Sequence, residues 1–352
     1  MFSKAITTVI GLVFLFGVQL TFGEPIYNVI DYAAKGDGKT NDTDAFLKTW
    51  EAACGDWSYS TLLIPSGKTF LLSGITFSGP CKNNIHVQLS GNITAPNTLW
   101  TREETNLVTF ININNLTLDG INLKNSPSKH MTFYACNGVF VDWVFITAPG
   151  DSPNTDGILV ADSHHVQIQW TTIGTGDDCI AILSGSSDVN ITGITCGPGH
   201  GISVGSLGGR GETAKVERIH VSYCNIFQAL TGARIKTWQG GAGYAKEITF
   251  KNINMSSVQT PIDIDQNYCP SGNCPQKPGA VAISNVEFMD IHGTSADEVA
   301  VKLDCSDSVP CRELLFGGIL LTWEGKSAPA KATAVNAYGK TVGMVTPPIS
   351  LK

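Results

Sequence analysis

From about residue 83 onward, the chain repeats one grammar. A turn residue, often asparagine, precedes a short run that alternates apolar and polar side chains. Asn115-Leu116-Thr117-Leu118, Gly138-Val139-Phe140-Val141 and His165-Val166-Gln167-Ile168 obey it. So do Val189-Asn190-Ile191, Ile219-His220-Val221, Ile248-Thr249-Phe250 and Val286-Glu287-Phe288. Copies return roughly every 20 to 40 residues, the spacing of solenoid repeats. Period-two alternation between turn signals specifies strands rather than helices. A sandwich or barrel would pair such runs as antiparallel hairpins, whereas a parallel β-helix stacks each coil on the last. Recurrence in phase favours the stack. Equivalent side chains on coils ~4.7–4.9 Å apart touch, so isoleucine meets isoleucine inside and asparagine meets asparagine at the turns. The expected fold is all-β: a right-handed, single-stranded parallel β-helix with a short N-terminal capping helix.

The open ends of a solenoid need covers. The segment from Asp42 to Cys54 suits one end, with Asp42 or Thr43 as N-cap and Phe46, Leu47 and Trp50 on one helical face. The tail after Trp323 is less regular and receives no assignment. Residues 1–23 carry the marks of a secretory signal: Lys4, a largely apolar run from Ile10 to Leu20, and small or weakly polar Thr21 and Gly23. That run is shorter than the ~20 residues a membrane span needs. Residues 24–352 then form one domain, since no low-complexity linker divides them.

Export agrees with sequons at Asn41, Asn92, Asn115, Asn190 and Asn254 and with ten cysteines. Cysteine positions suggest the local pairs Cys54–Cys81, Cys179–Cys196, Cys269–Cys274 and Cys305–Cys311, leaving Cys136 and Cys224 as buried small hydrophobes. A formal charge of −7 argues against nucleic acid as a partner. No membrane partner is expected, and the protein should be a monomer. A cleft can still carry the opposite sign locally; Arg234, Lys236, Lys215, Arg210 and His200 are the cations that could line one.

Chemistry concentrates in a few turns. Asn154-Thr155-Asp156-Gly157, Gly176-Asp177-Asp178-Cys179 and Gly199-His200-Gly201 each place a charged or titratable residue just before an apolar strand, about one repeat apart. Stacking should set Asp156, Asp177, Asp178 and His200 on one lateral face. On a later coil, alternation sends Arg234 and Lys236 to one side of a strand and Ile235 to the other. Crowded carboxylates cannot all ionise freely, so such a site separates a proton donor from a proton acceptor. Glycoside hydrolysis needs both. Arg234 and Lys236 could neutralise a uronic acid carboxylate, and Tyr268 could offer a ring or hydroxyl to a sugar. Taken singly, each motif is weak: an Asp-Asp pair is commonly a solvated turn or a calcium ligand.

Together, Ser152-Pro153-Asn154-Thr155-Asp156-Gly157, Thr175-Gly176-Asp177-Asp178-Cys179, Cys196-Gly197-Pro198-Gly199-His200-Gly201 and Arg234-Ile235-Lys236-Thr237-Trp238 resemble the plant polygalacturonases of glycoside hydrolase family 28. The resemblance covers Tyr27 to about Pro348. It implies inverting hydrolysis of α-1,4-galacturonosyl bonds in pectin, outside the cell in the wall or apoplast, with no metal or cofactor. By motif, Asp177 would be the general acid, Asp156 and Asp178 would activate water, and His200 would orient the acid. Arg234 and Lys236 would bind the galacturonate carboxylate, supported by Tyr268, with Asn154 in the substrate-binding set.

The chain also departs from that family pattern. After Asn115-Leu116-Thr117-Leu118-Asp119-Gly120 about one coil is missing, the tail lacks both cysteines of the usual terminal staple, and Leu159 stands where a histidine is frequent. Gly232-Ala233 also replaces the usual context before Arg234. Two other readings compete: a wall protein that binds pectin without cutting it, and a calcium-dependent pectate lyase.

Overall fold

A computed structural model describes residues 24–96 and 105–352. The signal-peptide reading of residues 1–23 lies outside the described residues.

The chain winds as a right-handed parallel β-helix, and every registered strand pair is parallel. One wall is a ten-stranded sheet that runs in chain order from Ile75–Ser78 to Lys331–Val335. A larger sheet forms the remaining walls; four long strands, Thr213–Phe227, Ala242–Val258, Ala282–Ser295 and Cys311–Trp323, turn its corner without a break.

The stack is in phase. Along the ten-stranded sheet Phe77, Phe110, Phe133, Val160, Ile182, Val204, Ile235, Ile264 and Leu303 pair in one column, and all are buried. Phe110 and Phe133 stack with ring centroids 5.5 Å apart. On the larger sheet Phe250, Phe288 and Phe316 stack at 5.4 and 5.1 Å. Asparagine follows asparagine where Asn92 pairs with Asn122, Asn114 with Asn137, and Asn225 with Asn254. The ladder continues through the segment around Gly120: Leu116 pairs with both Ile85 and Val139.

Eight successive coils, from Asn115 onward, bend at a left-handed residue. Asn115, Gly138, His165, Asp188, Arg218, Glu247, Asn285 and Glu313 occupy equivalent positions with φ between 53° and 73°. Only Gly138 among them is free of a Cβ. A left-handed residue with a Cβ costs ~1–2 kcal/mol, and the strand ladders on either side hold it in place.

The helix Thr43–Cys54 covers the first coils with Ala45, Phe46, Thr49, Trp50 and Ala53 buried. Trp50 packs 4.7 Å from Phe77. Two expectations need correction. Leu47 is 39% exposed, because Ala45, Thr49 and Ala53 complete the buried stripe. Asp42 is the N-cap residue but makes no side-chain cap bond to the helix; its carboxylate accepts from the N–H groups of Lys35 and Gly36 at 2.7 and 3.0 Å. The tail left unassigned forms strands Lys331–Val335 and Ala337–Thr346, extending both sheets by one layer. All four expected disulfides are present, and Cys136 and Cys224 are free and buried.

Because Phe288 is gripped between two rings, Phe288→Ala should lose about 3–5 kcal/mol. Urea unfolding should show it as a lower midpoint. Replacing exposed His220 by alanine should change stability by less than ~0.5 kcal/mol.

Candidate active site

Asp156, Asp178 and His200 each stand two residues ahead of an isoleucine. Those isoleucines, Ile158, Ile180 and Ile202, pair in register on consecutive strands. The stack therefore delivers the three side chains to one edge of the ten-stranded sheet, one per coil. Asp177 adds a second carboxylate and ties its coil to the next. The His200 N–H donates to the Asp177 carbonyl at 2.8 Å, and His200 Nδ1 lies 3.0 Å from Asp177 Oδ1. The Cys179–Cys196 disulfide pins the same two coils together.

Glycine is needed at Gly176. A Cβ there would lie 2.0 Å from the Ser152 carbonyl oxygen. The Gly176 N–H donates instead to Thr155 Oγ1 at 3.0 Å, locking the turn that carries Asp177 to the turn that carries Asp156.

Arg234 and Lys236 lie on the strand Thr231–Thr237 and are 9% and 6% exposed. Neither is free. Lys236 Nζ donates to Asp178 Oδ2 at 2.7 Å, while the Ser203 hydroxyl donates to Asp178 Oδ1 at 2.7 Å. Arg234 Nε lies 3.1 Å from Asp263 Oδ2. The Tyr268 ring stands 5.4 Å from both cations and packs edge-on against Trp238. A cleft of about 420 Å³ opens beside His200, lined also by Pro198, Gln228 and Leu230.

The carboxylates differ in proton affinity. Burial, then the charges of Asp178 and Asp177, raise Asp156 to about 7, against the opposing pull of Lys129 and Lys236. Burial also pushes Asp177 upward, but there the hydrogen bond and charge of His200, the charge of Lys236 and the Asp178 N–H prevail, leaving it at about 2. In the substrate-free protein the site's proton therefore sits on Asp156. Burial raises Asp263 to about 6. His130, buried beneath the site with Nδ1 3.1 Å from the Asp156 carbonyl oxygen, is held neutral: burial lowers it to about 4.

The structure thus brings Asp156, Asp177, Asp178, His200, Arg234, Lys236 and Tyr268 into one cluster at the ten-stranded sheet, with His200 also lining the cleft. Asn154 is different. It is exposed, with left-handed φ of 58°, and makes no side-chain hydrogen bond among the described residues. Lys215 belongs to the larger sheet, paired with Tyr244. Arg210 sits in the short turn Gly209–Gly211, sharing a cleft with Glu212 and Trp238.

Three participants escaped sequence reasoning. Lys129 Nζ lies 3.9 Å from Asp156 Oδ1. Ser203 and Asp263 flank Arg234 in register, one coil before and one coil after. A signal for Asp263 was available: Asp263-Ile264-Asp265 repeats the alternation of Arg234-Ile235-Lys236 one coil later.

Carboxylates clustered against buried cations on a parallel β-helix fit an enzyme that cleaves glycosidic bonds. The chain belongs to glycosyl hydrolases family 28, which matches residues 97–341, and is a glycoside hydrolase. It is 42% identical over 345 residues to a polygalacturonase of Persea americana, covering 85% of this chain and 74% of that protein. It is 39% identical over 370 residues to polygalacturonase-2 of Solanum lycopersicum, covering 92% and 81%. Among solved structures, endo-xylogalacturonan hydrolase from Aspergillus tubingensis shares the fold with a TM-score of 0.73 at 21% identity, covering 91% of this chain and 100% of that one. The polygalacturonase of Erwinia carotovora aligns with a TM-score of 0.58 at 20% identity, covering 90% and 99%.

Gly176→Ala should force the Asp177 turn away from Ser152 and destabilise the protein by about 1–3 kcal/mol. A melting curve followed by circular dichroism would register the loss.

Proposed function

We propose that this protein hydrolyses α-1,4-galacturonosyl bonds of homogalacturonan with inversion at the anomeric carbon. The observation that carries the reading is the juxtaposition of a carboxyl that keeps its proton, Asp156, with ionised Asp177 beside two buried cations. The relatives named polygalacturonase supply the substrate class.

In the proposed reaction, Asp177 protonates the glycosidic oxygen while Asp156 and Asp178 together take a proton from the attacking water. Inverting enzymes commonly leave room for that water with a carboxyl separation of roughly 6.5–9.5 Å. Asp177 and Asp178 approach more closely than that, with oxygens within 4.8 Å, so inversion rests here on the family and not on this spacing. Asp177 must gain a proton before it acts, and Asp156 must give up the one it holds before it can serve as base, so the site's proton passes from Asp156 to Asp177 when substrate binds. A bound uronate brings negative charge and engages the cations that hold Asp177 ionised, and both effects raise its proton affinity. His200 orients the acid through its Nδ1 contact. Lys236 and Arg234 neutralise the sugar carboxylate, and Tyr268, packed against both, holds their heads in the groove. Asn154 is assigned to the substrate contacts through its motif alone, from the exposed turn ahead of Asp156.

Asp177, Asp178 and His200 present ligand atoms within 4.8 Å of one another, a spacing a cation could use. Asp178 is already engaged by Lys236 and Ser203, however, so a fixed ammonium supplies the positive charge there. This arrangement supports hydrolysis over calcium-assisted elimination. The hydrolase names of the relatives leave the lyase and the non-cutting wall-protein readings without support.

We also place the protein outside the cell, in the wall, as a monomer with residues 1–23 removed and residues 24–352 acting as one domain lacking about one family coil near residue 120. Among the described residues, no helix is long and apolar enough to cross a membrane.

The test is digestion of de-esterified polygalacturonate by the purified protein. Reducing ends should appear, and the first product should carry the β-anomeric configuration in proton NMR. Asp177→Asn should lower the rate by roughly 10²–10⁴-fold. Absence of reducing ends with the unmodified protein rejects the reading. Above about pH 7 Asp156 loses the proton that the site holds, and Asp177, kept low by His200 and Lys236, has none to receive. The rate should therefore fall with loss of one proton near that pH, and a pH–rate profile checks it.

A further inference from the structure

Arg234, offered above as a receptor for the sugar carboxylate, already faces a carboxylate of this chain. Arg234 Nε and Asp263 Oδ2 are 3.1 Å apart, with side chains 10% and 7% exposed. Yet Arg234 Nε and Asp263 Oδ1 have no hydrogen-bond partner among the described residues. The two charges are close without the bonding geometry that would satisfy them. A buried pair of this kind contributes little net stability, and what is costly is leaving one charge alone. Another carboxylate can therefore replace Asp263 at Arg234 cheaply only where Asp263 has taken a proton, since displacing it as an anion leaves a buried charge unpaired.

We propose that Asp263 is a specificity-setting positioning residue, whose carboxylate holds Arg234 in the substrate-free groove and competes with the uronate carboxylate for it. The inference rests on the reading of the groove as a galacturonan site. Asp263 acts through Arg234 and takes no part in bond cleavage.

The groups around Asp263 come from three strands. Arg234 faces it from the preceding coil and Lys302 from the following one, both in register. Asp265 lies on its own strand, and Asp304 pairs with Asp265 from the following strand. Burial raises its proton affinity most; Arg234 and Lys302 oppose this, while Asp265 and Asp304 add to it, leaving Asp263 at about 6. The sign follows. Below about pH 6 Asp263 takes a proton and loses its charge. A galacturonate carboxylate remains ionised there and meets an Arg234 with no competing anion. Above that pH Asp263 is an anion that both occupies Arg234 and repels the substrate. A methyl-esterified sugar carries no carboxylate and should be indifferent to the change.

The experiment measures KM and kcat of the full chain on de-esterified polygalacturonate and on highly methyl-esterified pectin, between about pH 5 and pH 7. For the unmodified protein, KM for the acidic polymer should rise with pH through the region near pH 6, while KM for the esterified polymer stays level. Asp263→Asn should remove that rise, lowering KM for the acidic polymer by about tenfold near pH 7. The effect should fall on KM rather than kcat. Asp263→Glu, which keeps the charge, should restore the pH dependence. A flat KM profile in the unmodified protein overturns the inference even if the asparagine variant does not fold. So does an Asp263→Asn profile that matches the parent. Cleavage with an unchanged KM profile removes the inference alone, whereas no reducing ends from the unmodified protein removes the reading of the site with it.

Discussion

Parallel stacking in register is the constraint on which everything else depends. Backbone hydrogen bonding brings equivalent residues of successive coils within ~4.9 Å. Whatever occupies a position must then tolerate a neighbour of the same kind above and below. In the interior this is favourable, and the chain fills the columns with isoleucine, valine and stacked phenylalanine. At the edge of the ten-stranded sheet the same rule gathers groups that would otherwise avoid each other: Asp156, Asp178 and His200, one per coil, with Asp177 alongside.

Concentrated charge of one sign is the chemical consequence. The protein balances it with cations on the coils that flank the acids. Lys129 approaches Asp156 from one side, and Lys236 reaches Asp178 from the other. These partners differ in distance and in burial, so the acids separate in proton affinity instead of titrating alike. A single scaffold thus holds donor and acceptor together near neutral pH. The disulfide between Cys179 and Cys196 and the close approach at Gly176 keep this spacing from relaxing under the repulsion.

Much of the architecture was legible because strand alternation is a local property. Runs such as Val139-Phe140-Val141 and Val166-Gln167-Ile168 declare both their conformation and their inward face. Three of the disulfides were legible for the same reason, since each joins cysteines no more than 17 residues apart, whereas Cys54–Cys81 spans 27. The helix was found with one face residue misplaced. Leu47 looked apolar enough to bury, but small Ala45, Thr49 and Ala53 fit closer against the coil. The left-handed corners were not legible: Arg218, Glu247 and Glu313 are poor candidates for positive φ, and only the ladder on either side makes them adopt it.

The site divides along the same line. That Asp156, Asp177, Asp178, His200, Arg234 and Lys236 lie near one another was readable because each sits in a short motif with its own turn or alternation. Ser203, Lys129 and Asp263 were not, for they carry no motif and matter only through what they face. Sequence alone determined the repeat, its phase, the residue types presented to one edge and the family. Tertiary structure alone decided how the charges pair: Lys236 with Asp178, and Arg234 with Asp263. Pairing depends on burial and on which side chains oppose each other across neighbouring coils, and distance along the chain encodes neither.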